Sequence, residues 1–403
     1  MLLAPYDGSA PPSRVMLAPL LLALALGLLA FVAVELVARW WLWRAGYYVW
    51  PRHFRRVLQV DRDTMPQLEP QVAFEVNGDG ERGPEVGDAE GMLRILAVGG
   101  STVEAALTDQ ATCWSTAVAA LLNAPDARAA LGVPRVHVGN VGRSGLTLGS
   151  LREVLERTSP RYGRLGEIWV IAGPGDVVRW LERGAPADGA PEPPPVDEVF
   201  AQHPELGVGL RLRDLALVEC ARRAVLSTIR PVRRHAGAGR WIAEARAMRR
   251  AATRFRDEVP DAARFLDDVE EQAHALFRVA ARCALRTRLV LQPRFRKARY
   301  TPEEDALFWG GGIGNPYRGE RVTEYYTTRV LMELIDEVDR RLVAVAARHG
   351  VAVIDAGTAL RPDAGSFYDH FHLTPDGGAQ LARLLRDAIL DAPTPVTSGP
   401  PDR

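Results

Sequence analysis

An α/β fold built on a parallel sheet and held at a membrane by one N-terminal helix is what this 403-residue chain predicts. Two patterns carry that prediction. Short apolar runs alternate with longer segments of three- and four-residue apolar spacing, the signature of βαβ units. Residues 15–34 contain no charge, and about 20 residues at 1.5 Å rise cross roughly the 30 Å hydrocarbon core. A composition 47% hydrophobic and 25% charged is globular and suits one main domain with additions.

The anchor comes first. A cleaved signal peptide is the rival reading of 15–34, but its apolar region would be shorter, its basic residues would come early, and a small-x-small site would follow. Only Leu36-Val37-Ala38 offers such a site, so an uncleaved single-pass helix is expected. The next stretch, Arg39-Trp40-Trp41-Leu42-Trp43-Arg44-Ala45-Gly46-Tyr47-Tyr48, mixes indoles and phenols with arginine, the composition that settles at a headgroup interface. Arg39, Arg44, Arg52, Arg55 and Arg56 follow the helix and Arg14 alone precedes it, a distribution that by charge leaves the body in the cytoplasm.

A stretch rich in Asp, Gly and Glu over 61–91 reads as a linker. Beyond it 93–98, 135–138, 167–172, 288–292 and 352–354 qualify as strands, several continuously apolar, as strands covered on both faces should be. Helices are expected over 112–122 and 322–348. Thr374-Pro375 supplies an N-cap and a first-turn proline for a last helix. Between the third and fourth strands a long interruption, proline-rich over 185–196 and then rich in Arg and Ala, is expected to form an inserted helical subdomain. Its arginines, among them Arg230, Arg240, Arg246, Arg249 and Arg254, read as a solvated helix face or as a site for anionic lipid or polysaccharide, the solvated face being the expectation. The expected organisation is a tail over 1–14, a transmembrane helix over 15–38, a juxtamembrane segment and linker over 39–91, a main domain over 92–390 with its helical insert at about 184–286, and a disordered tail over 391–403.

Fifty Lys+Arg balance fifty Asp+Glu, so no net charge draws the chain to nucleic acid. Cys113, Cys220 and Cys283 are odd in number, far apart and never in a Cys-x-x-Cys pair; they indicate neither a disulfide framework nor a zinc knuckle and are expected as buried fillers. The segment Trp309-Gly310-Gly311-Gly312-Ile313-Gly314-Asn315-Pro316-Tyr317 is not a phosphate loop, since no Gly-Lys-Ser/Thr follows it and no helix begins there. It is expected to be a lid over a site or a plain loop. No metal and no cofactor are expected.

In an open parallel sheet reactive groups collect beyond the carboxyl ends of the strands, which directs attention to the strand-to-helix junctions. The first strand ends in Val98-Gly99-Gly100-Ser101-Thr102, a hydroxyl in a tight glycine turn that a substrate carbonyl can approach; the same tripeptide also makes ordinary turns and helix caps. After the last strand, Ser366-Phe367-Tyr368-Asp369-His370-Phe371-His372-Leu373-Thr374 places an acid three residues before a histidine, close enough for the carboxylate to bond one imidazole nitrogen and turn the other toward a serine. A solvated Asp and a capping His are the plainer alternative.

Nucleophile after the first strand and base after the last is an order that resembles the SGNH (GDSL-like) hydrolases, of the membrane-anchored bacterial type. Gly99-Gly100-Ser101-Thr102 matches the first block in its Gly-Gly-Ser form, Asn140-Val141-Gly142-Arg143-Ser144-Gly145 the second, and Asp369-His370-Phe371-His372 the last. Asn77-Gly78-Asp79-Gly80-Glu81-Arg82-Gly83 is similar to the Asn-x-x-Gly-x-Arg-Gly approach segment of tethered members, and Glu35-Leu36-Val37-Ala38-Arg39 to the end of their anchors. The resemblance implies a flavodoxin-like three-layer sandwich with a five-stranded parallel sheet. It implies Ser101 as nucleophile, His372 as general base and acid, Asp369 as the group that orients the imidazole, and an oxyanion hole drawn from Ser101, Gly145 and Gly175. His370 is read as a rim residue, with the alternative that it is the base. One block departs: the family's Gly-x-Asn-Asp stands here as Gly173-Pro174-Gly175-Asp176, so the asparagine donor is missing unless the Gly175 N–H, Asn140 or Asn315 takes its place. The function implied is a serine esterase acting on an acylated envelope glycan or lipid, O-acetyl esters included, with the body outside the cytoplasm. The alternatives are O-acyl transfer by the same triad and a glycan-binding or assembly protein on a degenerate scaffold.

Overall fold

The computed structural model describes residues 14–87, 90–163, 165–190, 192–207, 211–230, 232–316 and 319–392. Tyr317 and most of the two expected tails lie outside them. The chain divides into two units, Met1–Gly46 with His203–Ile229, and Tyr47–Gln202 with Arg230–Arg403.

In the first unit the apolar stretch forms part of a single helix, Arg14–Ala45, longer than the expected 15–38. Its 32 residues run about 48 Å at 1.5 Å per residue, and the leucines from Leu20 to Leu29 are exposed. The indole-rich segment continues this helix. A second helix, Ala216–Ile229, packs on its last turns, with Ala216 and Cys220 against Ala38 and Leu42.

The second unit holds ten strands: β1 (Arg55–Val60), β2 (Gln71–Glu75), β3 (Leu93–Gly99), β4 (Val136–Asn140), β5 (Leu165–Ala172), β6 (Val232–Ala238), β7 (Arg254–Arg256), β8 (Ala284–Leu291), β9 (Glu324–Tyr326) and β10 (Ala352–Asp355). Five of them form the expected parallel sheet in the order β10-β8-β5-β3-β4. This is the flavodoxin-like arrangement, with its reversal of direction beside the first strand. Alternate side chains of each strand serve opposite cores. Leu96, Val98, Ile168 and Val170 face helices Leu148–Tyr162, Ala263–Cys283 and Thr328–Arg348; Ile95, Ala97, Trp169 and Ile171 face helices Trp114–Leu122 and Pro375–Asp391. Burial on both sides is why 95–98 in β3 and 168–172 in β5 are apolar without a break. Thr374 caps the last helix as expected, its hydroxyl accepting the Gly377 N–H.

Four expectations need correction. The juxtamembrane segment and linker expected over 39–91 is folded: β1 and β2 pair antiparallel, β6 joins β1 in parallel, and Leu58, Val60, Val72 and Phe74 point inward while Gln59 and Gln71 face water. The 184–286 region is not wholly helical, because it contributes β6 and β7, and its helix Ala263–Cys283 belongs to the sandwich core. Nor are all its arginines solvated. Arg246 is buried and donates to the carbonyls of Thr64 (3.0 Å), Leu307 (2.9 Å) and Tyr368 (2.5 Å), while buried Arg249 pairs with Asp305 and reaches Thr328. Of the cysteines only Cys113 is fully buried; Cys220 and Cys283 are half-buried.

Candidate active site

β3 ends where the chain must turn sharply. A Cβ on Gly99 would lie 2.3 Å from Val103 and 2.5 Å from the Ile171 carbonyl, so only glycine fits. The turn leads into a short helix, Ser101–Glu104, closed by Ala105 in the left-handed region at φ 49°. Fully buried Arg82 holds that end, its guanidinium donating to the carbonyls of Glu104 (2.6 Å), Ala105 (2.7 Å) and Thr108 (2.6 Å). Carbonyls that the short helix cannot satisfy are thereby paired, and the Ser101 turn is fixed from beneath.

The loop after β10 brings up the partners. His372 Nε2 lies 2.7 Å from Ser101 Oγ, and its Nδ1 lies 2.8 Å from Asp369 Oδ2. Asp369 is fully buried, and its Oδ1 also accepts the N–H groups of Phe371 (3.0 Å) and His372 (2.9 Å). Its Oδ2 accepts the indole N–H of Trp309 at 2.8 Å. Burial opposes charge on both partners. In Asp369 the His372 imidazole and the Phe371 N–H outweigh it and hold the carboxyl well below its usual range; in His372 the Asp369 carboxylate outweighs it and holds the imidazole above its ordinary value. The Tyr368 ring stacks on His372 with centroids 5.4 Å apart, and Arg246 fixes the Tyr368 carbonyl.

His370 is not on the rim. It is fully buried, stacked on Phe308 with centroids 4.2 Å apart, and burial followed by the Arg249 charge pushes its pKa down to about 3. His372, not His370, meets Ser101.

Gly145 and Gly175 face the same space. Gly145, after β4, has φ +80°, which favours glycine. The preceding residue is anchored by Glu104, whose Oε2 accepts both the N–H (2.7 Å) and the hydroxyl (2.6 Å) of Ser144, while Arg56 pairs with Oε1 at 3.3 Å. Gly175 is the second residue of helix Pro174–Glu182, so its N–H has no acceptor within the helix. A Cβ there would lie 2.8 Å from the Leu146 carbonyl oxygen. The missing asparagine thus has a steric counterpart, because the 145–146 turn occupies the room a side chain would need. Of the two proposed substitutes Asn315 lines the cavity that holds Ser101, and Asn140 is not among its lining residues. Asn140 Nδ2 is spent on the Val103 carbonyl and the Ser115 hydroxyl, and Asn315 Nδ2 lies 3.3 Å from Glu182.

Ser101, Gly145, Gly175 and His372 all line one cavity of about 450 Å³ at the carboxyl edge of the sheet, beside the strand where its order reverses. Leu107, Leu146, Leu151, Ile171, Val178 and Phe371 give it a mainly apolar wall, with Arg179 and Glu182 at hand. Asp176 also lines it; burial pushes its carboxyl up to about 7, and its oxygens accept the Leu148 N–H at 3.2 Å. The glycine-rich segment is a packed wall of the site, since Phe308 and Trp309 are buried and Gly312 bridges to Tyr325.

The sequence reading missed Trp309, Arg82, Glu104 and Arg246 as supports of these groups. Arg82 lay inside a quoted motif and Trp309 headed the glycine run. Glu104 and Arg246 carry no local signal.

No family model matches the chain, and no curated protein matches it. Among solved structures it is similar to an α/β hydrolase from the metagenome of Lake Arreo, Spain (14% identity, TM-score 0.40, covering 75% of this chain and 96% of that one). It is also similar to a catalytic mutant of an acetylxylan esterase of Geobacillus stearothermophilus (14%, 0.40, 75% and 95%) and to a lipolytic G-D-S-L family protein of Veillonella parvula (11%, 0.35, 75% and 98%).

Proposed function

We propose that this chain is a membrane-anchored serine esterase. The observation that carries the reading is the unbroken relay from Ser101 Oγ through His372 to buried Asp369, at 2.7 and 2.8 Å. Ser101 Oγ attacks the ester carbonyl carbon while His372 Nε2 takes its proton, and Asp369 stabilises the imidazolium that forms. The oxyanion meets the N–H groups of Ser101, Gly145 and Gly175, each such donor worth about 3 kcal/mol in the transition state. Collapse expels the alcohol, which leaves with the proton from His372, and water then repeats the sequence to release the acid and free Ser101. The Gly175 N–H, at the N-terminus of helix Pro174–Glu182, stands where the resembled family has a side-chain amide.

The substrate class is an acetyl or other acyl ester of an envelope glycan or lipid, with the acyl group against the apolar wall and the body outside the cytoplasm. The exposed leucine-rich helix Arg14–Ala45 and the indoles Trp40, Trp41 and Trp43 support single-pass anchoring. The test is turnover of p-nitrophenyl acetate and butyrate by the full chain in detergent, with Ser101→Ala beside it. Ser101-dependent turnover is expected. Equal rates in both samples would sink the esterase reading, and acyl capture by an added glycan in preference to water would turn it into a transferase.

A further inference from the structure

Glu35 is a charge at the end of an apolar anchor. An ionised carboxylate at the edge of the hydrocarbon is costly unless it is paired. Here it is 9% exposed and fully engaged: it accepts the N–H groups of Ala216 (2.8 Å) and Leu217 (3.0 Å), and Arg39 Nε lies 3.0 Å away. Those N–H groups belong to the first turn of helix Ala216–Ile229, where donors lack acceptors within the helix and where negative charge is favoured. Arg39 in turn donates to the Asp214 carbonyl at 2.9 Å. The anchor therefore carries a built dock for a second helix, completed by Ala216 and Cys220 on Ala38 and Leu42.

The docked helix leaves its other face bare. Leu217, Ala221, Ala224, Val225 and Thr228 recur at three- and four-residue spacing, with Val218 and Ile229 beside them and no charge among them, and all seven are exposed. Leu212, in the turn before, is 72% exposed. The level of this face is set by the dock. Leu217 N sits on Glu35, the first residue after the charge-free 15–34, and exposed Trp40, Trp41 and Trp43 follow within three turns. Arg211, Arg213 and Arg222 flank it, Arg222 being paired with Glu219 at 2.6 Å and Arg213 lying 3.8 Å from Asp214.

We propose that helix Ala216–Ile229 is a second membrane element, lying in the headgroup–acyl boundary of an anionic bilayer against the anchor, with Leu212, Leu217 and Val218 among the acyl chains. The bilayer is the occupant because the bare face is continuous with the lipid-facing surface of the anchor and is edged by arginines that match anionic headgroups. This rests on the reading of Arg14–Ala45 as a membrane helix.

The test uses the full chain with Cys220→Ala and Cys283→Ala, reconstituted in vesicles of phosphatidylcholine and phosphatidylglycerol. A polarity-sensitive fluorophore is placed at L217C, at L28C in the anchor, or at D188C as an aqueous control. With a nitroxide near the top of the acyl chains, emission from L217C should fall about twofold or more, as expected for a face buried at this depth, with D188C unaffected. Quenching at L28C without quenching at L217C overturns the proposal and leaves the anchor standing. Quenching at neither overturns both. Disulfide-linked dimers through L217C without lipid quenching would show that a second copy, not lipid, covers the face.

Discussion

Replacing Gly175 by asparagine separates two accounts of the proposed oxyanion site. If the site merely lacks a donor, the amide supplies one and the rate rises by about a hundred- to a thousandfold. The geometry argues the opposite. A Cβ at 175 would lie 2.8 Å from the Leu146 carbonyl oxygen, against 3.4 Å or more for ordinary contact, and the obstacle is backbone that cannot rotate away. The 145–146 turn and helix Pro174–Glu182 must separate. Overpacking of this kind costs about 1–3 kcal/mol, which at about 2–4 °C per kcal/mol lowers Tm by roughly 2–12 °C. The same movement carries the Gly145 N–H away from the developing oxyanion, and misplacement by a fraction of an ångström to 1 Å costs up to about a hundredfold in rate. The assay is thermal unfolding of the detergent-solubilised full chain, paired with the rate of Ser101 modification by a fluorophosphonate. Gly175→Ala should match the loss of stability without adding an amide. A Gly175→Asn variant as stable as the parent and modified tenfold faster would refute the reasoning.

Trp309→Phe removes one donor from the Asp369 carboxylate. A hydrogen bond to a charged group is worth about 1.5–3 kcal/mol, so kcat/KM should drop about tenfold or more, and the more basic carboxylate should move the acid limb of the pH profile upward; an unmoved limb would deny Trp309 this positioning role. His372 must be neutral to accept the Ser101 proton and is held above its ordinary 6.5, so kcat/KM should be lost as pH falls through a value above 6.5. Asp369→Asn should cut the rate on the order of ten thousandfold; a small effect would mean that the relay is not used. Asp176, raised by burial to about 7, contributes stability that is fully present below its ordinary 3.8 and is lost as pH rises through about 7. Asp176→Asn should therefore raise Tm relative to the parent at pH 8 and lose that advantage at pH 4, and equal differences at both values would contradict the assignment.

The parallel sheet was legible because its central strands are covered on both faces and carry apolar runs, 95–98 in β3 and 168–172 in β5. The sheet of β1, β2 and β6 was not. Each of its strands turns only a few residues inward, and β6, Val-Arg-Arg-His-Ala-Gly-Ala, is an exposed edge whose arginines discourage further pairing. Helix Ala263–Cys283 was recognisable as helical, but nothing local says that its apolar face closes the main core rather than a cap. That Ser101, Asp369 and His372 would meet was legible from local turn chemistry and from the order of blocks along the chain. Trp309 and Arg246 were not, since each acts across at least 60 residues of sequence through a single indole or guanidinium. Gly175 was read as a missing side chain, and only the neighbouring Leu146 carbonyl gives it a physical reason.

Fluorophosphonate treatment of the folded full chain, followed by mass mapping of the adduct, tests the relay most directly. A phosphonyl group on the peptide containing Ser101, absent in Ser101→Ala and strongly slowed in His372→Ala, is the predicted result. An unmodified Ser101 in folded protein, or modification that His372→Ala leaves at full rate, would contradict a Ser101–His372–Asp369 triad.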